Sequence, residues 1–240
     1  MIGIIGAMDK EIDDIKAIMT GPGDHGLPEV EEHAGMQFWH GMLSGQEIIL
    51  VRSGVGKVNA AVAAEALAAI YKVKAIINTG IAGSLDPRLD IGDIVLSTDA
   101  LEHDMDVTSR GFPKGTIPQQ DISIFEADPK LRSIAVEAVK KACPEVNVFE
   151  GRVLSGDIFV SDDNMKNKMI EKFGGLCTEM EGAAIAHTAW LNKIPYLIIR
   201  SISDKADDSA HMDYSIFQKQ ATQNSVKLIT ELLKRIDYII

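Results

Sequence analysis

Cysteine is nearly absent: Cys143 and Cys177 are the only two in 240 residues, and no CxxC spacing ties them to a metal or redox motif. So few exclude a disulfide framework, and both are expected as buried or half-buried thiols. Basic charge is also short, with 24 Lys and Arg against 35 Asp and Glu and a formal net charge of −11. The basic residues are scattered, which argues against the stripe or patch of a nucleic-acid binder. Such acidity favours solubility and weakens attraction to anionic partners, although a local site can still oppose the net charge and take a phosphorylated ligand. No apolar run approaches the ~20 residues of a membrane span. The N-terminus passes straight from an apolar stretch into Asp9-Lys10-Glu11, without the features of a secretory leader. A cytoplasmic protein is expected. Linkers rich in Ser, Pro or Gly and internal repeats are missing too. With 46% hydrophobic residues the chain can fill one large core, so residues 1–240 are read as one domain.

What is present is an alternation of short apolar runs with longer helical patterns. Residues 2–7, 47–53, 75–79, 93–98 and 196–201 read as strands, several of them apolar without alternation, which suits a sheet covered on both faces. Residues 36–43 read as a further strand, joined to 47–53 by the tight turn Ser44-Gly45. Helices are expected over 57–71, 129–141, 162–173, 180–191 and 215–236, the second with Pro129 in its first turn, where a missing N–H costs little. The pattern predicts an α/β fold with helices flanking a mixed, mostly parallel sheet. Ligands of such folds gather at the carboxyl ends of the strands, here 7–11, 53–57, 79–84, 155–160 and 201–204.

Two motifs at these exits invite nucleotide or metal readings and fall short. Ser53-Gly54-Val55-Gly56-Lys57 lacks the Ser or Thr and the spacing of a P-loop, and Asn59 stands where a dinucleotide fingerprint wants Gly or Ala. A turn that lets backbone approach a ligand or a helix fits it better. His103-Asp104-Met105-Asp106 could suggest a metal, yet the other histidines show no ligand spacing, and structural hydrogen bonding is the better reading. Thr79–Ser84, rich in small residues, is either a compact turn or a pocket wall with room for a flat ligand.

The carboxylates carry more. Glu11 opens a helix after the first strand, where an acid also complements the helix dipole. Glu179-Met180-Glu181 precedes the small, apolar Gly182–Ala186; capping accounts for one Glu and leaves the second to explain. Asp204 ends an apolar strand as Arg200-Ser201-Ile202-Ser203-Asp204, as a cap or as a site residue. From spacing alone these acids support only a cleft.

In chain order, the segments IGIIGAMDKEI, SGVGKVNAA, IINTGIAGS, GDIVLS, HDMDVT, SGDIFV, EMEGAAIAH and IRSISDKAD resemble the methylthioadenosine/S-adenosylhomocysteine nucleosidases of the nucleoside phosphorylase superfamily. The resemblance implies a three-layer α/β/α sandwich, a homodimer, a place in methionine salvage, and hydrolysis of adenine nucleosides without metal or organic cofactor. It assigns Glu11 to the attacking water, Glu181 to the ribose hydroxyls with Met180 beside the sugar, and Asp204 to protonation of adenine N7, supported by Ser203 and Arg200. Phe159 and Val160 match the adenine-stacking side chain and the backbone that reads the base edge; Met8, Val55, Ala82, Gly83 and Tyr214 match other pocket walls. The chemistry suits these residue types, because adenine leaves poorly as an anion and a positioned general acid contributes ~10²–10⁴-fold.

Related phosphorylases place an Arg before the Gly-rich stretch, where this chain has Asn78-Thr79, so water rather than phosphate is the expected nucleophile. Futalosine-type nucleosidases keep the acids and differ around the 5′ group, and a non-catalytic nucleoside-binding module would lack at least one acid. Two residues depart from the pattern: Ile81 replaces a small hydroxyl residue, and Arg110, near Val107, replaces an aromatic that the partner subunit brings to the 5′ pocket. A cation there would favour a carboxylate-bearing tail.

Overall fold

The computed structural model describes residues 1–207 and 210–236, with side chains in the last helix described at 210, at 217 and from 222 onward. The order is β1 (Ile2–Gly6), α1 (Asp9–Ile18), β2 (Glu29–His33), β3 (Met36–Leu43), β4 (Gln46–Arg52), α2 (Lys57–Ala69), β5 (Ile76–Ser84), β6 (Ile94–Glu102), β7 (Ile124–Glu126), α3 (Pro129–Ala142), β8 (Val148–Ser155), α4 (Asp163–Phe173), β9 (Cys177–Glu179), α5 (Gly182–Leu191), β10 (Tyr196–Asp204) and α6 (Ala210–Leu233).

All strands join one mixed sheet. Its central run β4–β1–β5–β10 is parallel, and so are β6–β8 and β8–β9. Antiparallel pairs come at the β2–β3–β4 meander and where β10 meets β6, β5 meets β9 and β6 meets β7. Because β10 pairs with both β5 and β6, the strands β5, β10, β6, β8 and β9 close into a circuit. Helix α2 packs on α5, while α6 packs on α3 and α1, giving the α/β/α layering. Every residue of β1, β5 and β10 is buried, which explains why the apolar stretches that open these strands show no polar alternation. Ser44 and Gly45 both have positive φ, 54° and 82°, as the tight hairpin between β3 and β4 demands.

Two strands run further than their sequence predicts. The apolar signal of β5 stops at Thr79 and that of β10 at Ser201, yet their ladder continues to the pair Gly83↔Asp204. Thr79–Ser84 is therefore buried strand rather than turn, since each strand supplies the other's backbone partners where side-chain patterning fails. Short β7 and β9 carry no readable period, and β2 (EVEEH) is an exposed, charged edge strand of the kind that resists further pairing.

Candidate active site

Glu11 lies in the first turn of α1 and is buried. Its Oε2 accepts from the N–H groups of Ala7 (2.7 Å) and Met8 (3.0 Å), the helix-opening role open to any acid there. Its Oε1 does something more, crossing to β5 to accept from Ile81 N–H at 3.1 Å. Gly80 makes that crossing possible: a Cβ at residue 80 would stand 2.5 Å from Oε1. Burial pushes the Glu11 carboxyl pKa up, while the Arg200 charge and the three N–H bonds pull it back.

The neighbouring pair of acids divides its work. Glu179, at the end of β9, turns its carboxylate to the opening of α5, accepting from the N–H groups of Glu181 (3.1 Å) and Gly182 (2.8 Å), from the Ser155 hydroxyl and from the Arg200 guanidinium. Freed from capping, Glu181 takes one hydrogen bond on Oε1, from Gly56 N–H at 2.8 Å. Its pKa is pushed up to about 8 by burial and then by the Glu179 charge, against the Gly56 N–H and Arg200.

Arg200 is fully enclosed. It was expected to support Asp204, but its guanidinium turns to Asn78 Oδ1 (2.5 Å) and to Glu179. Burial works against the guanidinium charge, yet Glu179, Glu11 and Glu181 together outweigh it and raise the pKa. Arg200 therefore sits beneath the acids as their shared counter-charge. The reason is geometric: on the strand, residues 200 and 204 are separated by four positions of extended chain. Asp204 is held instead by its own segment, with Oδ2 accepting from Ser203 Oγ at 2.8 Å and Oδ1 from Ala206 N–H at 2.9 Å. Gly83 leaves it room, since a Cβ there would lie 2.7 Å from Oδ1.

Glu11, Glu181 and Asp204 line one cavity of about 430 Å³, with Met8, Val55, Ala82, Gly83, Phe159, Met180 and Ser203 from the expected set. That volume suits a small organic ligand. Val160 is buried and lines a recess of about 30 Å³ that shares Phe159, Met180 and Asp204 with the main cavity. The Tyr214 side chain lies outside the described residues. Val107 and Arg110 do not line the cavity within this chain.

The Phosphorylase superfamily model matches residues 1–235. The methylthioadenosine/S-adenosylhomocysteine nucleosidase of Halalkalibacterium halodurans is 38% identical, with 98% of each chain covered. Among solved structures, the corresponding nucleosidase of Neisseria meningitidis in complex with methylthio-immucillin-A superposes with a TM-score of 0.90 at 34% identity, covering 97% of this chain and 98% of that one. The chain belongs to the methylthioadenosine/S-adenosylhomocysteine nucleosidase family. The futalosine hydrolase of Helicobacter pylori is similar as well, with a TM-score of 0.89 at 30% identity over 97% of this chain and 96% of that one.

Some features of this nucleosidase fold escaped the sequence. Ala7 and Ile81 line the cavity from the expected strand exits, but Thr178 and Glu179 line it without having been expected there, and the anchoring role of Glu179 had no signal beyond its place before a helix. A larger groove of about 780 Å³ runs between loop 103–114 and α4. It mixes lysines with acids and lacks the three convergent carboxylates, so size is a poor guide to the chemistry here. Among the described residues no group of three or more His, Cys, Asp or Glu side chains is placed to hold a metal ion.

Proposed function

We propose that this chain hydrolyses the N-glycosidic bond of 5′-methylthioadenosine and S-adenosylhomocysteine, releasing adenine and 5-methylthioribose or S-ribosylhomocysteine. The observation that carries the reading is the convergence of Glu11, Glu181 and Asp204 on one cavity with apolar walls. In this reading Asp204, oriented by Ser203 and Ala206, delivers a proton to adenine N7 as the C–N bond breaks. Glu181 accepts from the ribose hydroxyls, and the charge of Glu11 favours the oxocarbenium character growing on the sugar. Glu11 takes a proton from the water that attacks the anomeric carbon. Phe159 stacks on the base, and Met8, Val55 and Met180 enclose the sugar and the 5′ substituent.

Water as nucleophile is supported by Asn78. Its Oδ1 is taken by Arg200, and its Nδ2 donates to Ile5 O at 3.0 Å, so that position serves the framework rather than a phosphate. Adenine release from methylthioadenosine is expected without phosphate and is expected to fall by about a hundredfold or more in Asp204→Asn, the scale of one general acid. A strict phosphate requirement would move the chain to the phosphorylases, and binding without turnover would make it a nucleoside-binding module.

The likeness to futalosine hydrolase supports a second reading in which the same acids serve a different 5′ group. Futalosine in the same assay separates the two. We place the protein as a cytoplasmic homodimer acting in methionine salvage. The buried free thiols Cys143 and Cys177 fit a reducing compartment. A partner's Arg110 at the 5′ opening would favour S-adenosylhomocysteine, and Arg110→Ala should then lose more activity on that substrate than on methylthioadenosine.

A further inference from the structure

Two motifs that the acids leave unexplained, the Gly-rich turn before α2 and the acid-rich segment after β6, meet at Asp157. Lys57 N–H donates to Asp157 Oδ1 at 2.8 Å, and Asp157 N–H donates to Asp104 Oδ2 at 2.9 Å. Lys57 Nζ returns to Asp104 Oδ1 at 2.7 Å, closing a ring of three hydrogen bonds over residues far apart in the chain. Lys57 Nζ also meets Glu102 Oε2 at 2.9 Å, and the other oxygen of Glu102 lies 3.2 Å from His187 Nδ1 on α5, the helix that begins next to Glu181. Lys57, Asp104 and Asp157 do not line the nucleoside cavity.

What the ring holds is the peptide beside it. Gly56 has φ 97°, a conformation that side-chain-bearing residues rarely adopt, and Gly54 has φ 85°. A turn with two such glycines is intrinsically free to swivel, so the direction of the Gly56 N–H is not set by its own backbone. That N–H is the one on Glu181 Oε1, and the next N–H along the chain is the one tied to Asp157. Asp157 also packs against Gly56 itself: a Cβ there would lie 3.1 Å from its Oδ1. Charge supports the closure, since Lys57 stays cationic against its burial through Asp104 and Glu102, whose pKa values it lowers in turn.

We propose that Lys57, Asp104 and Asp157 are positioning residues: their ring aims the Gly56 N–H at Glu181 and so sets the grip on the ribose. The proposal rests on the reading of Glu181 as the ribose-binding acid. Its test is a double-mutant cycle in the full chain with methylthioadenosine as substrate. Asp157 is exposed, so Asp157→Ala should fold; it is expected to lower kcat/KM about tenfold, roughly the worth of one hydrogen bond to a charged group. The same change in a Glu181→Ala background should have little further effect, and free adenine should bind both Asp157→Ala and wild type with closely similar affinity. Lys57→Arg, which keeps donors for both acids, should retain activity that Lys57→Met loses.

A full, additive loss in the Glu181→Ala background would overturn the proposal. Unchanged kinetics with only a lowered Tm would do the same, making the ring purely structural. If Glu181→Ala alone left kcat/KM untouched, the ribose assignment itself would fail, a result separate from either.

Discussion

Glu179 and Glu181 stand two residues apart, and their surroundings send them to different work. Glu179 spends its oxygens on the α5 N-terminus, Ser155 and Arg200, whereas Glu181 keeps one backbone donor in a buried wall. The cost of ionising Glu181 appears as a pH dependence of stability. Below pH 4.5 both folded and unfolded chains hold the proton; from there to about pH 8 the unfolded chain releases it first, so stability falls as pH rises. Glu181→Gln cannot titrate and can still accept from Gly56. Its Tm should match wild type near pH 4.5 and exceed it by several degrees above pH 8, measured by scanning calorimetry without ligand; equal curves at both ends would reject this. The stabilised variant should be a poor enzyme, the usual exchange at a strained site. Gly80→Ala tests the neighbouring acid. The new methyl would stand 2.5 Å from Glu11 Oε1, so with Glu11 in its proposed role as general base kcat is expected to fall by about a hundredfold. Undiminished turnover would show that Glu11 needs no such exact seat.

At the scale of elements, the acids sit where β1 passes into α1, where β9 passes into α5 and at the end of β10, and helices pin the strands. Helix α6 docks on α3 through Glu231, which meets Lys141 at 2.8 Å, Arg235 at 2.8 Å and Lys234 at 3.3 Å. The hydrogen bond from Lys141 leads a set of cationic contacts that lowers its carboxyl pKa to about 2. With the folded value depressed, this contribution is complete above pH 4.5 and is lost as pH falls toward 2. Glu231→Gln should therefore lower Tm at neutral pH, and the gap from wild type should close in strong acid; a gap that persists at pH 2 would sink the assignment. The pairing of β5 with β10 works differently. It extends both strands beyond their apolar signal, and Gly80 and Gly83 on β5 open the space that Glu11 and Asp204 fill. Small residues that read as a turn or a wall are the seats of two carboxylates.

For the whole molecule, α2 turns apolar side chains to solvent. Val58 is 75% exposed and Val62, one helical turn on, is 37% exposed, with Val55 of the cavity wall 48% exposed beside them. A face continuous with the mouth of the site fits the proposed homodimer. Val58→Asp is then expected to shift sedimentation from dimer to monomer and to weaken activity with it; a wild type that sediments as a monomer would refute the assembly.

The sequence by itself determined the α/β alternation, the core strands and the order of the acids, because buried runs, helix propensity and ordered motifs are local properties. It also held the family resemblance that separated Glu11, Glu181 and Asp204 by role. Only the tertiary structure decided that Glu179 is the anchor, with its oxygens committed to α5, Ser155 and Arg200 while Glu181 takes the Gly56 N–H, and that Arg200 serves Glu179 rather than Asp204. Those outcomes depend on Asn78, Ser155 and Gly56, residues remote in the chain that strand pairing brings together. A carboxylate's work is set by which donors reach it and how little water does, and both are properties of the assembled sheet.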